Sequence, residues 1–124
     1  MDKTKVTSQG YRVDMPELLA RVENDRELLR DLVVIFKEEF PRHMEALRKA
    51  VASPDLKAAK IVSHTLKGML SNLAVTRASA LAGHMEQMAG DVGASSLPEA
   101  LAEFEQEVDG LLLEMEAHAE EVKP

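Results

Sequence analysis

Residues 54–73 have the sequence PDLKAAKIVSHTLKGMLSNL, and this stretch decides the fold class. Its larger apolar residues recur at intervals of three and four, which is the spacing of one buried face on an α-helix. Ser53 and Pro54 precede the pattern as a helix cap and a first-turn proline. The pattern predicts a helix from Pro54 to about Leu73 that buries Ala59, Val62, Leu66, Met69, Leu70 and Leu73.

The opposite face of this predicted helix is polar and is centred on His64. At about 100° per residue, His64 lies nearly opposite the buried stripe, so its imidazole is expected to project into solvent. An acidic protein thus presents a basic strip of lysines and small residues around one imidazole. Within roughly 60° of the histidine on the helical wheel lie Lys57, Lys60, Lys67, Gly68 and Ser71.

Each member of this strip has a possible chemical use. A neutral imidazole can act as a nucleophile toward phosphorus, and the phosphorylated product is anionic. Lys60 and Lys67, one turn to either side of His64, can supply positive charge. Gly68 costs the helix about 1 kcal/mol relative to alanine, a cost that open space beside the ring would explain. An ordinary surface histidine among ordinary lysines, with a glycine that permits close helix packing, explains the spacing equally well.

Two helices are predicted before this stretch. A capping pattern at Asp14 opens a short helix from about Met15 to Val22. Asp25 can cap a longer helix from Arg26 to about Val51, whose apolar residues again recur at three and four. Pro41 lies inside that pattern, so either a bend or a true break is expected there.

Two further helices are predicted after it, from Thr76 to about Ala89 and from about Leu97 to Glu120. Thr76 and Ser96 are their predicted caps, and a turn at residues 90–93 separates them. Four long amphipathic helices with short connections predict an all-α protein, an antiparallel four-helix bundle with an additional short N-terminal helix. We expect residues 13–122 to form the bundle domain and residues 1–12 to form a flexible tail.

The composition argues against several classes of function. The 124 residues include 22 acids and 15 bases, for a net charge of −7, and no cysteine. Nucleic-acid binding relies on phosphate neutralisation by lysine and arginine, whereas disulfides and thiolate metal sites need cysteine. No apolar run approaches the roughly 20 residues that cross a bilayer, and the first ten residues lack the apolar stretch of a signal peptide. We therefore expect a cytoplasmic protein that binds neither nucleic acid nor membrane.

A metal site inside the bundle is also disfavoured. Di-iron four-helix proteins use Glu-x-x-His pairs on facing helices. None of the four histidines has a glutamate three positions earlier, so we expect no metal site in this chain. The four histidines are His43, His64, His84 and His118, preceded at that spacing by Phe40, Ile61, Leu81 and Met115. The sequence also has no G-x-x-x-x-G-K-S/T loop or other nucleotide motif, and we expect no cofactor.

The string His64-Thr65-Leu66-Lys67-Gly68 resembles the H-x-x-K-G signature of histidine-containing phosphotransfer (HPt) domains, on the third helix of that family's bundle. The resemblance covers the chain from about Val13 to Val122 and includes the following helix, with ALAGHME at residues 80–86. It implies that His64 is the phosphoacceptor, that Lys67 is the charge partner of the phosphoryl group, and that Gly68 keeps the ring accessible. Two further glycine positions of the family pattern are Ser71 and Ala74 here.

The resemblance also implies partners. Members of this family exchange phosphoryl groups with the aspartates of response-regulator receiver domains, some of which belong to hybrid sensor histidine kinases. The receiver would supply the aspartate and its Mg²⁺, so this chain would be a monomeric phosphoryl carrier rather than an independent enzyme. The alternative is a helical interaction module that binds a receiver domain or a kinase without accepting phosphate.

Overall fold

The computed structural model describes residues 12–90 and 92–121, and the side chains of residues 12–90 and 94–117. The described residues form five α-helices and one short 3₁₀ helix, which confirms the predicted all-α class and the predicted order of one short and four long helices. The helices are α1 (Met15–Arg21), α2 (Arg26–Ala52), α3 (Leu56–Asn72), α4 (Thr76–Ala89) and α5 (Leu97–Glu121), with the 3₁₀ helix at Val92–Ser96.

The four long helices form a ring in which each packs on the next along the chain and α5 packs back on α2. Ion pairs join Arg48 to Glu105 and Lys37 to Glu116, so α2 and α5 run antiparallel. The helices α3 and α4 are also antiparallel, because the earlier residue of α3 contacts the later residue of α4. His64 contacts Glu86, and Ser71 contacts Ser79. This packing is what the predicted antiparallel bundle requires, and its exact helix arrangement stays a prediction.

Side-chain caps fix the beginnings of the first three helices. Asp14 accepts a hydrogen bond from the N–H of Glu17, and Asp25 accepts one from that of Leu28, as predicted. The predicted start of the third helix at Pro54 is wrong by two residues, because Asp55 is the cap and accepts from the N–H of Ala58. Ser53 instead closes α2, donating its N–H to the carbonyl of Lys49.

Three other boundary predictions have different outcomes. Thr76 is the first residue of α4 rather than its cap, and the cap position is taken by Val75, which makes no side-chain capping bond. The N–H of Val75 donates to the carbonyl of Leu70, so the chain turns sharply between α3 and α4.

The predicted turn at 90–93 holds only at Gly90, since the 3₁₀ helix begins at Val92. Asp91 lies outside the described residues. The helix α2 continues through the exposed Pro41, which excludes a break there.

The core lies between the long helices and is built largely from the predicted stripes. Val62 and Met69 from the stripe of α3 are only half-buried, and smaller residues are buried in the α3–α4 interface. Such small side chains let two helices approach closely. The buried small residues of this interface are Ala59, Ser63, Ala78, Ser79 and Ala82.

A short extended segment before α1 crosses the end of the bundle. The backbone N–H groups of Arg12 and Val13 donate to the carboxylate of Glu114 in α5, and that of Asp14 donates to the carbonyl of Ala74. Apart from Arg12, the tail predicted for residues 1–12 lies outside the described residues, and the domain limits 13–122 stay a prediction. Among the described residues, no helix combines the length and apolar character needed to span a bilayer.

Ser63 is buried completely, and its hydroxyl has no hydrogen-bond partner among the described residues. We expect Ser63→Ala to raise the free energy of unfolding by about 1 kcal/mol, because a buried polar group without a partner is destabilising. Urea denaturation would measure the change, with the exposed Ser95→Ala as a control that stays within about 0.5 kcal/mol of the parent protein. A loss of stability in Ser63→Ala would show that the hydroxyl is bonded after all.

Candidate functional site

His64 lies in the middle of α3 on the face that points away from the core. Its side chain is 67% exposed, so the predicted outward orientation is confirmed. Ser63 and Leu66, which flank His64 along the helix, point into the core and are fully buried. Packing of these neighbours fixes the backbone that carries the imidazole, while the ring itself stays open to solvent.

The nearest charged neighbour of the ring is an acid, which the sequence analysis did not anticipate. Nδ1 of His64 lies 3.0 Å from Oε2 of Glu86 in α4. The other oxygen of the same carboxylate, Oε1, lies 3.2 Å from Nζ of Lys67. Glu86 thus bridges the imidazole and the ammonium group, and the predicted basic strip has an acid at its centre.

Glu86 is ionised at neutral pH. Burial by itself would raise the pKa of this carboxyl group, but hydrogen bonds from Lys67 and His64, together with their charges, lower it below its ordinary value of 4.5. Its side chain is only 20% exposed, so both partners act at short range with limited screening.

An ionised carboxylate only accepts hydrogen bonds, so the ring must donate the one it shares with Glu86. In a neutral imidazole, one nitrogen carries the proton and the other carries the free lone pair. In the neutral ring, the contact at Nδ1 therefore favours the tautomer that has its proton on Nδ1. In that neutral form, Nε2, the ring nitrogen that does not face Glu86, would carry the free lone pair.

The side chain of Lys67 crosses from α3 onto α4 and is 42% exposed. Its route passes over Gly83, because a Cβ atom built at that position would lie 3.1 Å from Cδ of Lys67. Beyond this crossing its ammonium group meets Glu86, one helical turn further along α4. Lys67 is therefore close to His64 through a shared carboxylate.

Gly68 is exposed, and a Cβ atom built there would have no heavy atom within 4 Å. The packing of the described residues therefore does not require a glycine at this position. This observation removes close packing against the described residues as the explanation of Gly68.

The other residues of the predicted strip have different surroundings. Lys57 and Lys60 are exposed, and the side chain of Lys60 lies over Gly90 at the end of α4. Ser71 is exposed, but its hydroxyl is 2.7 Å from that of Ser79, so it contributes to the α3–α4 contact. Ala74 is buried with a φ of 58°, so a glycine there would serve the backbone turn rather than the approach of a partner.

A shallow groove of about 650 Å³ follows the α3–α4 seam beside the histidine. Its lining includes Lys60, Lys67, Gly83, His84 and Glu86. The sequence alone left two interpretations of His84, an ordinary surface residue of the helix or a residue near a partner surface. It is exposed and lies in this groove.

No group of three or more histidine, aspartate or glutamate side chains is arranged to hold a metal ion in the part of the chain whose side chains are described. His43 is half-buried in α2, and the side chain of His118 lies outside the described residues.

Comparison with known proteins gives a family match that covers most of the bundle. The sequence model of the Hpt domain matches residues 31–121, from the first turns of α2 to the end of α5. Searches of curated proteins and of solved structures give no match. Because the match spans well over half of the chain and includes the exposed histidine with its lysine and glycine, this protein belongs to the Hpt domain family, the histidine phosphotransfer domains of phosphorelays.

Proposed function

We propose that this chain carries a phosphoryl group on Nε2 of His64, accepting it from and donating it to the aspartates of receiver domains. The observation that carries this proposal is the hydrogen bond of 3.0 Å between Nδ1 of the exposed ring and Glu86. It leaves the lone pair of Nε2 available to an incoming phosphorus atom without prior loss of a proton.

The transfer step is balanced as a displacement at phosphorus. The Nε2 lone pair forms the new N–P bond, while the P–O bond of the aspartyl phosphate breaks and its electron pair leaves with the aspartate carboxylate. The ring keeps its proton on Nδ1 and becomes positively charged, and the carboxylate of Glu86 faces this new charge. The reverse sequence returns the phosphoryl group to an aspartate, so the chain acts as a carrier.

Lys67 has the second role in this proposal. Its ammonium group lies 3.2 Å from the carboxylate that contacts the ring, and its side chain is 42% exposed. A small movement of this side chain would bring the ammonium group to the phosphoryl oxygens. Lys60 adds positive charge one turn earlier, Gly68 leaves room for the partner, and Ser71 supports the α3–α4 contact. This chain would contribute positioning and charge, with Mg²⁺ bound by the receiver and no cofactor of its own.

The proposed partners are response-regulator receiver domains, including those attached to hybrid sensor histidine kinases. Receivers of this kind operate in the cytoplasm, so we propose that location for this chain. We also propose a monomeric state, which the family resemblance implies. The net charge of −7 is unfavourable for nucleic acid as a partner.

Phosphotransfer profiling would test this proposal. The purified full chain would be mixed with each receiver domain of the source organism, labelled beforehand on its aspartate. At least one receiver should transfer its label within seconds to minutes, giving an acid-labile, base-stable phosphoprotein whose label maps to residue 64. If no receiver transfers label, the carrier role is wrong, and tight binding of a receiver without transfer would favour the interaction module.

A further inference from the structure

Two lysines of α3 lie across two glycines, one in α4 and one at its C-cap, on opposite sides of the His64–Glu86 contact. Lys67 passes over Gly83, where an added Cβ atom would lie 3.1 Å from its Cδ atom. Lys60 passes over Gly90, where an added Cβ atom would lie 3.4 Å from its Nζ atom and 3.6 Å from Cδ and Cε. Both crossings line the same groove.

The two glycines have no other evident reason to be glycine. Neither has a positive φ, and Gly90, at the C-cap of α4, has a φ of −97° that any residue adopts. Glycine is among the poorest helix formers, so its use at position 83 in the middle of α4 is unfavourable unless space is needed. Among the described residues, and apart from the chain neighbours and the backbone of α4 itself, the heavy atom within 4 Å of an added Cβ at position 83 belongs to Lys67. The three nearest to an added Cβ at Gly90 all belong to Lys60.

We propose that Gly83 and Gly90 are positioning residues, which seat Lys67 and Lys60 flat on α4 and so hold the two ammonium groups beside His64. The functional meaning of this seating rests on the proposed phosphotransfer, but the seating itself is a property of the free protein. A side chain at position 83 lifts Lys67 away from α4 and weakens its contact of 3.2 Å with Glu86.

Competitive acylation of lysines tests the seating without any phosphotransfer. The folded full chain would be treated with a trace of N-acetoxysuccinimide, and the acetylation of Lys60 and Lys67 would be measured by mass spectrometry relative to the exposed Lys57. We expect Gly83→Leu to raise the reactivity of Lys67 by up to about fivefold, the factor that corresponds to loss of a partly exposed ion pair. Gly90→Leu should raise that of Lys60 and leave that of Lys67 unchanged.

Gly68→Ala is the matched control for this measurement, because a Cβ atom there touches nothing within 4 Å. It should leave the reactivity of both lysines unchanged. Unchanged reactivity of Lys67 in Gly83→Leu, or an equal rise of both lysines in each variant, would overturn the proposal. If a leucine variant fails to fold, the alanine variants decide the same question with a smaller expected rise.

The consequence for transfer is measured separately. In the wild-type background, Gly83→Ala should slow phosphoryl acceptance severalfold while its melting temperature stays equal or rises, which a merely structural glycine would not do. Failure of the wild-type chain to accept label would defeat the proposed function, and the acylation result would still stand or fall by itself.

Discussion

His64→Gln should abolish labelling of the chain by every phosphorylated receiver that labels the wild-type protein. The substitution removes the imidazole that is the nucleophile of the proposed transfer, and the amide of glutamine does not form a stable bond to phosphorus. Since the side chain is 67% exposed, the free energy of unfolding should stay within about 0.5 kcal/mol of that of the parent protein. Transfer assays and urea denaturation on the same preparation would measure both quantities.

His84→Gln is the matched control, because His84 is a second exposed histidine on the neighbouring helix and lines the groove beside the site. It has no hydrogen bond to a carboxylate among the described residues that would hold its proton on one nitrogen. Full labelling of His64→Gln, or loss of labelling in His84→Gln alone, would transfer the phosphoacceptor role away from residue 64.

The orientation of His64 could be derived from the sequence, because a helical wheel needs only the apolar spacing of one helix. The exposure of Gly68 follows from the same wheel. The space beside it does not, since it depends on what the neighbouring helices place there. The structure shows that this space is open, so the packing of the described residues does not require a glycine at position 68.

Glu86 escaped the sequence analysis because its role depends on the register between two helices. His64 and Glu86 lie at equal sequence distances from Val75, where the chain turns between α3 and α4. A helical wheel drawn for α3 alone shows the lysines around His64, but it cannot show Glu86, which lies on α4. Pairing α3 with α4 around that turn would have placed the acid opposite the histidine, and likewise Gly83 opposite Lys67.

Ser53 and Thr76 show a second limit of the sequence. Both are residue types that favour helix caps, yet Asp55 caps α3 and α4 begins without a side-chain cap. At each place the competing contact is a backbone bond that closes the preceding helix or turn, from Ser53 to Lys49 and from Val75 to Leu70. Local propensity predicted where each helix boundary lies to within a few residues. The backbone hydrogen bonds determine at which residue the helix begins or ends.

Glu86→Gln should impair phosphoryl acceptance about ten- to a hundredfold, although glutamine has nearly the same shape as glutamate. The ammonium of Lys67 needs an acceptor, so it binds the amide oxygen and turns the NH₂ group toward Nδ1 of His64. Nδ1 must then accept, which moves the ring proton to Nε2 and blocks the nucleophilic nitrogen. Initial rates of transfer, with ¹⁵N chemical shifts of the ring to report the tautomer, would measure both effects.

The decisive measurement is the double variant Glu86→Gln with Lys67→Met. Without the ammonium group, the amide is free to turn its oxygen toward Nδ1 and to accept the ring proton there, which restores the productive tautomer. The ¹⁵N shifts should therefore return to the wild-type pattern in the double variant, and its transfer rate should exceed the product of the two single effects. If Glu86→Gln keeps both the wild-type rate and the wild-type tautomer, the carboxylate does not control the proton. If the effects of the two substitutions on the free energy of activation are additive, Lys67 and His64 do not share Glu86 during the reaction.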